Sequence, residues 1–187
     1  MNCSTNWSKH ELVTKAVIFA AEAHKGQYRR GIEIAYIFHC TEVGQILDEN
    51  KCDTQLVAAG VLHDILEDTP TTFEKLREVF GARVAEVVRS QTEDKSLSWE
   101  ERKTHTIECL KTASLEHKLL VCADKLANVR SICKNKVELG DALWSRFNSG
   151  YEKVKWYYTS LVESLKSLEG YEMYREFKEL VPKAFDK

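Results

Sequence analysis

The stretch LVAAGVLHDILEDTP, residues 56–70, is the most informative part of the sequence. It is apolar on nearly every side, yet it carries four titratable side chains. Those side chains are His63, Asp64, Glu67 and Asp68. The apolar pattern predicts a buried helix over about 55–68, with the four groups along one edge. Carboxylates at that spacing repel one another, burying them uncompensated is costly, and the segment contains no Lys or Arg. A divalent cation is therefore the predicted partner.

Two other apolar segments are interrupted in the same way. His39 lies within YIFHC, and Asp124 follows the apolar run of KLLVCADKLANVR. One such residue alone is more often structural, so the interpretation depends on finding three interrupted segments together. The four nitrogen and oxygen ligands predicted from them suit Mn²⁺, Fe²⁺ or Zn²⁺ rather than an ion selected by thiolates. These ligands are His39, His63, Asp64 and Asp124.

The rest of the chain is typical of an all-α protein. The 187 residues include only two prolines and eight glycines, and strand-type alternation is nearly absent. Capping-box patterns at Ser8-x-x-Glu11, Thr71-x-x-Glu74 and Ser98-x-x-Glu101 predict helix starts. Predicted helices cover roughly 9–25, 36–48, 55–68, 99–112, 116–133 and 150–168, with a short helix over about 71–80 and helical spacing continuing at 84–88. We expect one compact multi-helix domain over 1–187, with a core at about 9–133 and a helical tail at about 134–187.

Composition narrows the function. Lys and Arg number 27 against 29 Asp and Glu, a near-balance that argues against binding a nucleic-acid polymer but leaves room for a basic pocket. We expect no signal peptide and no membrane span. The six cysteines form no CxxC pair, which favours reduced thiols in a cytoplasmic protein. No pattern indicates an oligomeric state.

Four segments carry a family resemblance: AHKGQYRRGIEIAYIFH (23–39), AAGVLHDILEDT (58–69), FGARVAEVV (80–88) and ADKLANVRSI (123–132). They resemble the HD-domain metal-dependent phosphohydrolases, whose pattern is H…HD…D, and most closely the hydrolase domain of RelA/SpoT-type alarmone enzymes and their small stand-alone relatives. The resemblance implies an all-α HD-domain fold. It also implies a hydrolase that uses Mn²⁺, or another divalent transition metal, to remove the 3′-pyrophosphate from (p)ppGpp.

The resemblance assigns roles to residues of this sequence. It implies that the four ligand-type residues above bind the metal, and that Glu67 and Asp68 orient or deprotonate the attacking water. It implies nucleotide contacts from Arg29, Arg30 and Asn128, and Ser131 supplies a hydroxyl where the long enzymes often have Thr. Lys25 joins this set because it precedes His39 by one loop and adds a cation for phosphate.

Two alternatives stay open from the sequence. Ala127 stands where many family members have His, which leaves room for another nucleotide substrate, such as an adenine alarmone or NADPH. A non-catalytic nucleotide sensor on the same fold is the other alternative, although the intact ligands and acidic pair argue against it. In each case the expected partner is a small-molecule nucleotide, with no nucleic-acid polymer and no membrane.

Overall fold

The structure, a computed structural model, describes residues 9–29 and 33–186. This part is built from α-helices, and its one β-type pairing is the isolated bridge between Tyr28 and Ala35. The all-α prediction is thereby confirmed. The helices are α1 (Lys9–Ala23), α2 (Ile37–Glu49), α3 (Thr54–Val61), α4 (Ile65–Asp68), α5 (Phe73–Phe80), α6 (Ala82–Gln91), α7 (Trp99–Thr112), α8 (Leu115–Leu139), α9 (Tyr151–Ser164) and α10 (Glu172–Phe185). Short 3₁₀ helices span Gly140–Arg146 and Lys166–Leu168.

The chain divides into two compact units, one holding α1–α6 and the other α7–α10 with both 3₁₀ helices. The expectation of one domain over the whole chain stays a prediction. Within the described residues, no helix is both long and apolar enough to cross a membrane.

In the first unit, α2 and α3 approach each other closely through two glycines. A Cβ atom at Gly44 would lie 2.5 Å from Val61 Cγ2, and one at Gly60 would lie 3.4 Å from the main chain of Gly44. The residues around this crossing, including Val43, Leu47 and Val57, are buried. The crossing fixes α2, which carries His39, against α3, which leads directly into His63.

The helix predicted over 55–68 is broken in the structure. Residues 62–64 form a turn between α3 and α4, with Leu62 and Asp64 both at ψ values near zero. The cause is local: the Gly60 carbonyl accepts from both the main-chain nitrogen and the Nδ1 of His63, at 3.4 and 2.9 Å. The carbonyl that a continuous helix would pair with Asp64 N–H is thus already engaged.

The helix starts were partly predicted. Ser98 and Glu101 form the predicted capping box at the start of α7. At α5 the cap is Thr72, whose hydroxyl accepts from Lys75 N–H, whereas Thr71 pairs with Thr69. The pattern at Ser8 extends outside the described residues. The bounds of α10 were not predicted beyond its place in the helical tail at about 134–187; it packs along α8 in the second unit.

The second unit is organised around α8, whose central residues from Leu119 to Ala127 are largely buried. The Arg130 guanidinium on α8 donates to both carboxylate oxygens of Glu176 on α10, at 2.7 and 2.6 Å. An aromatic cluster of Trp144, Tyr151, Tyr158 and Phe185 closes the other side of this unit. Asp124 therefore lies on a helix that is held in place along its length.

The glycine crossing leads to a test of stability. We expect Gly44→Ala to lower the free energy of unfolding by about 1–3 kcal/mol, because the new methyl group overlaps Val61 in a packed core. Chemical denaturation measures this change. Gly170→Ala is the control, since a Cβ there meets nothing within 4 Å, and we expect a change within about 0.5 kcal/mol. Equal effects of the two substitutions would contradict the close crossing.

Candidate metal and catalytic site

Three of the four predicted ligands come together in the first unit. The rings of His39 and His63 have centroids 5.0 Å apart, and both residues are buried. Asp64 Oδ2 lies 2.7 Å from His63 Nε2 and 3.8 Å from His39 Nε2. One carboxylate oxygen and two imidazole nitrogens thus point into the same small volume.

The tautomer of His63 indicates what this volume can hold. Nδ1 of His63 lies 2.9 Å from the Gly60 carbonyl, which can only accept, so Nδ1 carries the hydrogen. In the neutral ring Nε2 then presents a lone pair towards the Asp64 carboxylate. Two electron-donating atoms at such a distance repel unless a proton or a metal ion lies between them. A carbonyl that orients the far nitrogen of a histidine is also a typical feature of metal-binding imidazoles. The donor set therefore fits a divalent cation.

Tyr36 is a site residue that the sequence reasoning missed. It was read only as part of the apolar spacing of its helix, yet its hydroxyl donates to Asp64 Oδ2 at 2.5 Å. Its ring also packs edge-on against His39, with centroids 5.4 Å apart. Tyr36 thus orients a carboxylate and an imidazole together. The position three residues before His39, one helical turn away, is the signal that was available.

The acidic pair follows the turn directly. Glu67 and Asp68 lie on α4, with Glu67 half-buried and Asp68 exposed. Their side chains are therefore within reach of solvent water, one short helix after Asp64. The main-chain carbonyl of Asp68 accepts a hydrogen bond from Gln27 Nε2 at 2.8 Å.

The predicted phosphate-binding residues differ in their exposure to solvent. Lys25 is exposed and Arg29 is half-buried, in the turn and the extended segment that follow α1. Arg29 N–H donates to the carbonyl of Ile34 at 2.8 Å. Arg30 lies outside the described residues. The substrate roles of all three stay predictions.

The fourth predicted ligand, Asp124, lies in the second unit on α8 and is 3% exposed. Its Oδ1 accepts from Asn128 Nδ2 at 2.6 Å, and its Oδ2 accepts from Lys125 Nζ at 2.7 Å. Burial alone would lower the pKa of Lys125, but the charge and hydrogen bond of Asp124, together with Tyr157 and Tyr158, hold that pKa well above its ordinary value. Asp124 is thus a buried carboxylate that two hydrogen bonds orient.

Asn128 and Ser131, predicted to contact the nucleotide, continue the stripe of α8 that begins at Asp124. In this structure the Asn128 amide nitrogen is engaged by Asp124, which makes it an orienting group for that carboxylate. The Ser131 hydroxyl accepts from Asn135 Nδ2 at 3.2 Å. Their contacts with substrate stay predictions.

A cationic cluster lies near Asp124 in the second unit. Lys103 Nζ lies 2.6 Å from Glu93 Oε1 and 5.1 Å from the centroid of the Tyr157 ring. Burial would raise the pKa of Glu93, but the charge and hydrogen bond of Lys103, together with the charges of Lys125 and Arg102, lower it. Burial raises the pKa of Tyr157 to about 12. Lys125 also faces the Tyr157 ring, which links this cluster to Asp124.

Comparison with known proteins identifies the family of the chain. The family model described as the HD domain matches residues 16–144. The zebrafish guanosine-3′,5′-bis(diphosphate) 3′-pyrophosphohydrolase MESH1 is 41% identical over 135 residues, which cover 71% of this chain and 73% of that protein. MESH1 from Xenopus tropicalis is 37% identical over 162 residues, 85% of this chain and 86% of that protein.

Two solved structures have the same fold as this chain. A metazoan ortholog of SpoT that hydrolyses ppGpp superposes with a TM-score of 0.78 at 29% identity, over 95% of this chain and 96% of its own. A protein from Listeria monocytogenes EGD-e superposes with a TM-score of 0.76 at 40% identity, over 80% of this chain and 99% of its own. The chain belongs to the HD-domain family of metal-dependent hydrolases, and within that family to the RelA/SpoT-type relatives.

Proposed function

We propose that the protein is a guanosine-3′,5′-bis(diphosphate) 3′-pyrophosphohydrolase, which converts (p)ppGpp and water into GDP or GTP and pyrophosphate. The observation that carries the proposal is the convergence of His39, His63 and Asp64 on one volume, with an acidic pair on the next helix. Relatives that cover most of the chain are named for this reaction. The bond that breaks joins O3′ of the ribose to phosphorus, and the 3′-oxygen leaves with a proton.

The proposed metal ligands are His39, His63, Asp64 and Asp124. His39, His63 and Asp124 are buried and each offers one ligand atom of the kind a metal ion takes, while Asp64 is oriented by Tyr36. Histidine nitrogens with carboxylate oxygens suit manganese, which we propose as the metal. When bound, such an ion supplies a Lewis acid for a phosphoryl oxygen and makes water a better nucleophile.

Other residues of the chain accept the proton of the attacking water and orient the ligand oxygens. Glu67 and Asp68, accessible on α4, accept hydrogen bonds from the attacking water and take its proton on a carboxylate oxygen. Tyr36 holds the Asp64 carboxylate, and Asn128 and Lys125 hold the Asp124 carboxylate. These hydrogen bonds keep the ligand oxygens in place, so little reorganisation is needed when negative charge develops on the phosphate.

For substrate binding we propose Lys25, Arg29 and Arg30 as phosphate contacts and Asn128 and Ser131 as nucleoside contacts. Guanidinium groups bind phosphate bidentately, which suits a substrate with two pyrophosphate groups. We further propose that the partner is this small molecule alone, without a nucleic-acid polymer or a membrane, and that the protein acts in the cytoplasm. The near-balanced charge of the chain supports this set of proposals.

The test is a direct assay of the purified chain. After loading with Mn²⁺ and incubation with ppGpp, we expect equal amounts of GDP and pyrophosphate, and excess EDTA should remove the activity. A parallel series with an adenine alarmone and with NADPH measures the preference for the base. No GDP from ppGpp in the presence of Mn²⁺ would reject the proposed function, and faster turnover of another nucleotide would replace the substrate.

A further inference from the structure

Gln27 connects three parts of the first unit, although neither the resemblance nor the ligand set gave it a role. Its main-chain nitrogen donates to the His24 carbonyl at the end of α1, at 2.9 Å. Its main-chain carbonyl accepts from Tyr36 N–H at 2.9 Å, immediately before α2. Its side-chain Nε2 donates to the Asp68 carbonyl at the end of α4, at 2.8 Å. One residue thus touches the segments that lead to the ligands and to the acidic pair.

The bond to Asp68 matters because α4 has only four residues. So short a helix is not stable alone, and its last carbonyls have no partner within the helix. Ile65 anchors α4 by being fully buried, and the Thr69 hydroxyl donates to the Ile65 carbonyl at 2.6 Å. The Gln27 amide supplies a further anchor, at the residue that carries one of the two proposed catalytic carboxylates.

His24 fixes the orientation of that amide. His24 is 3% exposed, and its Nδ1 lies 2.7 Å from Gln27 Oε1. Because Gln27 Nε2 must donate to the Asp68 carbonyl, Oε1 is the acceptor, and His24 Nδ1 therefore carries the hydrogen. The His24 ring also packs against Tyr36, with centroids 5.1 Å apart, and Tyr36 donates to Asp64. The buried His24 imidazole thus fixes the orientation of the Gln27 amide.

We propose that Gln27, oriented by His24, is a positioning residue for the acidic pair: it holds the main chain at Asp68 so that Glu67 and Asp68 face the attacking water. This inference rests on the proposed function. It assigns Gln27 and His24 no contact with substrate or metal, and their effect on turnover passes entirely through the placement of α4.

The first test is Gln27→Met, which keeps the length of the side chain but removes the donor. We expect kcat for ppGpp to fall about ten- to a hundredfold, the usual effect of removing a group that orients a reacting one. KM, the affinity for Mn²⁺ and the melting temperature should stay near their wild-type values. Gln45→Met is the matched control, because Gln45 is exposed on α2 and its side-chain amide donates to Glu49, one turn away on the same helix.

The second test uses the Asp68 side chain. If Gln27 acts through the acidic pair, Gln27→Met should lower kcat much less in an Asp68→Asn background than in the wild type. His24→Asn, which keeps a donor near the Nδ1 position, should retain kcat, whereas His24→Leu should resemble Gln27→Met. Wild-type kcat in Gln27→Met, or a loss that is the same in both backgrounds and follows a lower melting temperature, would overturn the inference.

A readout without substrate separates this inference from the proposed function. Hydrogen exchange of the amides from Glu67 to Thr71 should be faster in Gln27→Met than in the wild type, while exchange in α2 and α3 is unchanged. Should the wild type release no GDP, the proposed function fails and the exchange result still decides whether Gln27 holds α4. Unchanged exchange at α4 rejects the positioning role of Gln27 whatever the activity.

Discussion

Replacing His63 by alanine is expected to remove tight binding of Mn²⁺ and to lower turnover of ppGpp roughly a thousandfold or more, since a bound metal ion contributes several kcal/mol to such a reaction. His63 is 1% exposed and its Nε2 lies 2.7 Å from Asp64 Oδ2, so its loss removes one of the two proposed ligand nitrogens that face that carboxylate. Metal content after gel filtration and a titration with Mn²⁺ measure the first effect. Release of GDP measures the second.

The control for this substitution is His105→Ala, which removes an exposed imidazole on α7. We expect it to keep the metal content and the activity of the wild type. If His63→Ala kept activity within about tenfold of the wild type, His63 would not be a metal ligand and the proposed mechanism would have to be given up.

The second large effect is expected for the acidic pair. The double substitution Glu67→Gln, Asp68→Asn should lower kcat by roughly a hundredfold to ten-thousandfold, the range that general acid–base groups contribute. Binding of Mn²⁺ and of ppGpp should persist, because neither carboxylate is among the proposed ligands and both amides keep the shape of the side chains. Single-turnover assays with calorimetry of substrate binding separate these quantities.

Glu74→Gln serves as the matched control, as an exposed carboxylate in the first turn of α5. Its kcat should equal that of the wild type. The acidic-pair variant also tests the alternative of a non-catalytic nucleotide sensor. If the wild type bound ppGpp without turnover and the variant behaved identically, the protein would be a nucleotide sensor rather than an enzyme.

Much of the site was predictable because buried charge is costly. His39, His63 and Asp124 each interrupt an apolar run, and that anomaly can be read without a structure. The all-α fold was predictable for a similar reason, since helical periodicity is strong and helix breakers are few. The placement of His39 next to His63 then follows from the crossing of α2 and α3 at two glycines, which periodicity does not reveal.

Other features were not predictable from pattern. Tyr36 and Gln27 form side-chain hydrogen bonds to groups 28 and 41 positions away. The spacing of Tyr36 from His39 indicates that those two rings are close, but no local pattern indicates the partners Asp64 and Asp68. The break at 62–64 was missed because it comes from one side chain competing for one carbonyl within a continuous apolar run. The substrate contacts assigned to Lys25, Arg29 and Ser131 stay predictions, because contacts within the protein do not define how a nucleotide binds.

The turn between α3 and α4 explains why His63 and Asp64 are adjacent in the sequence. Successive side chains of an α-helix diverge by about 100°, so two adjacent helical residues cannot chelate one ion. Because the backbone leaves the helical conformation at Leu62 and Asp64, the side chains of His63 and Asp64 converge instead. Under the proposed function, the two neighbours would bind the metal as a bidentate pair whose geometry the main chain sets. A residue inserted between His63 and Asp64 would separate their two side chains. The other proposed ligands, His39 and Asp124, come from separate helices, so their distance along the sequence is not restricted in this way.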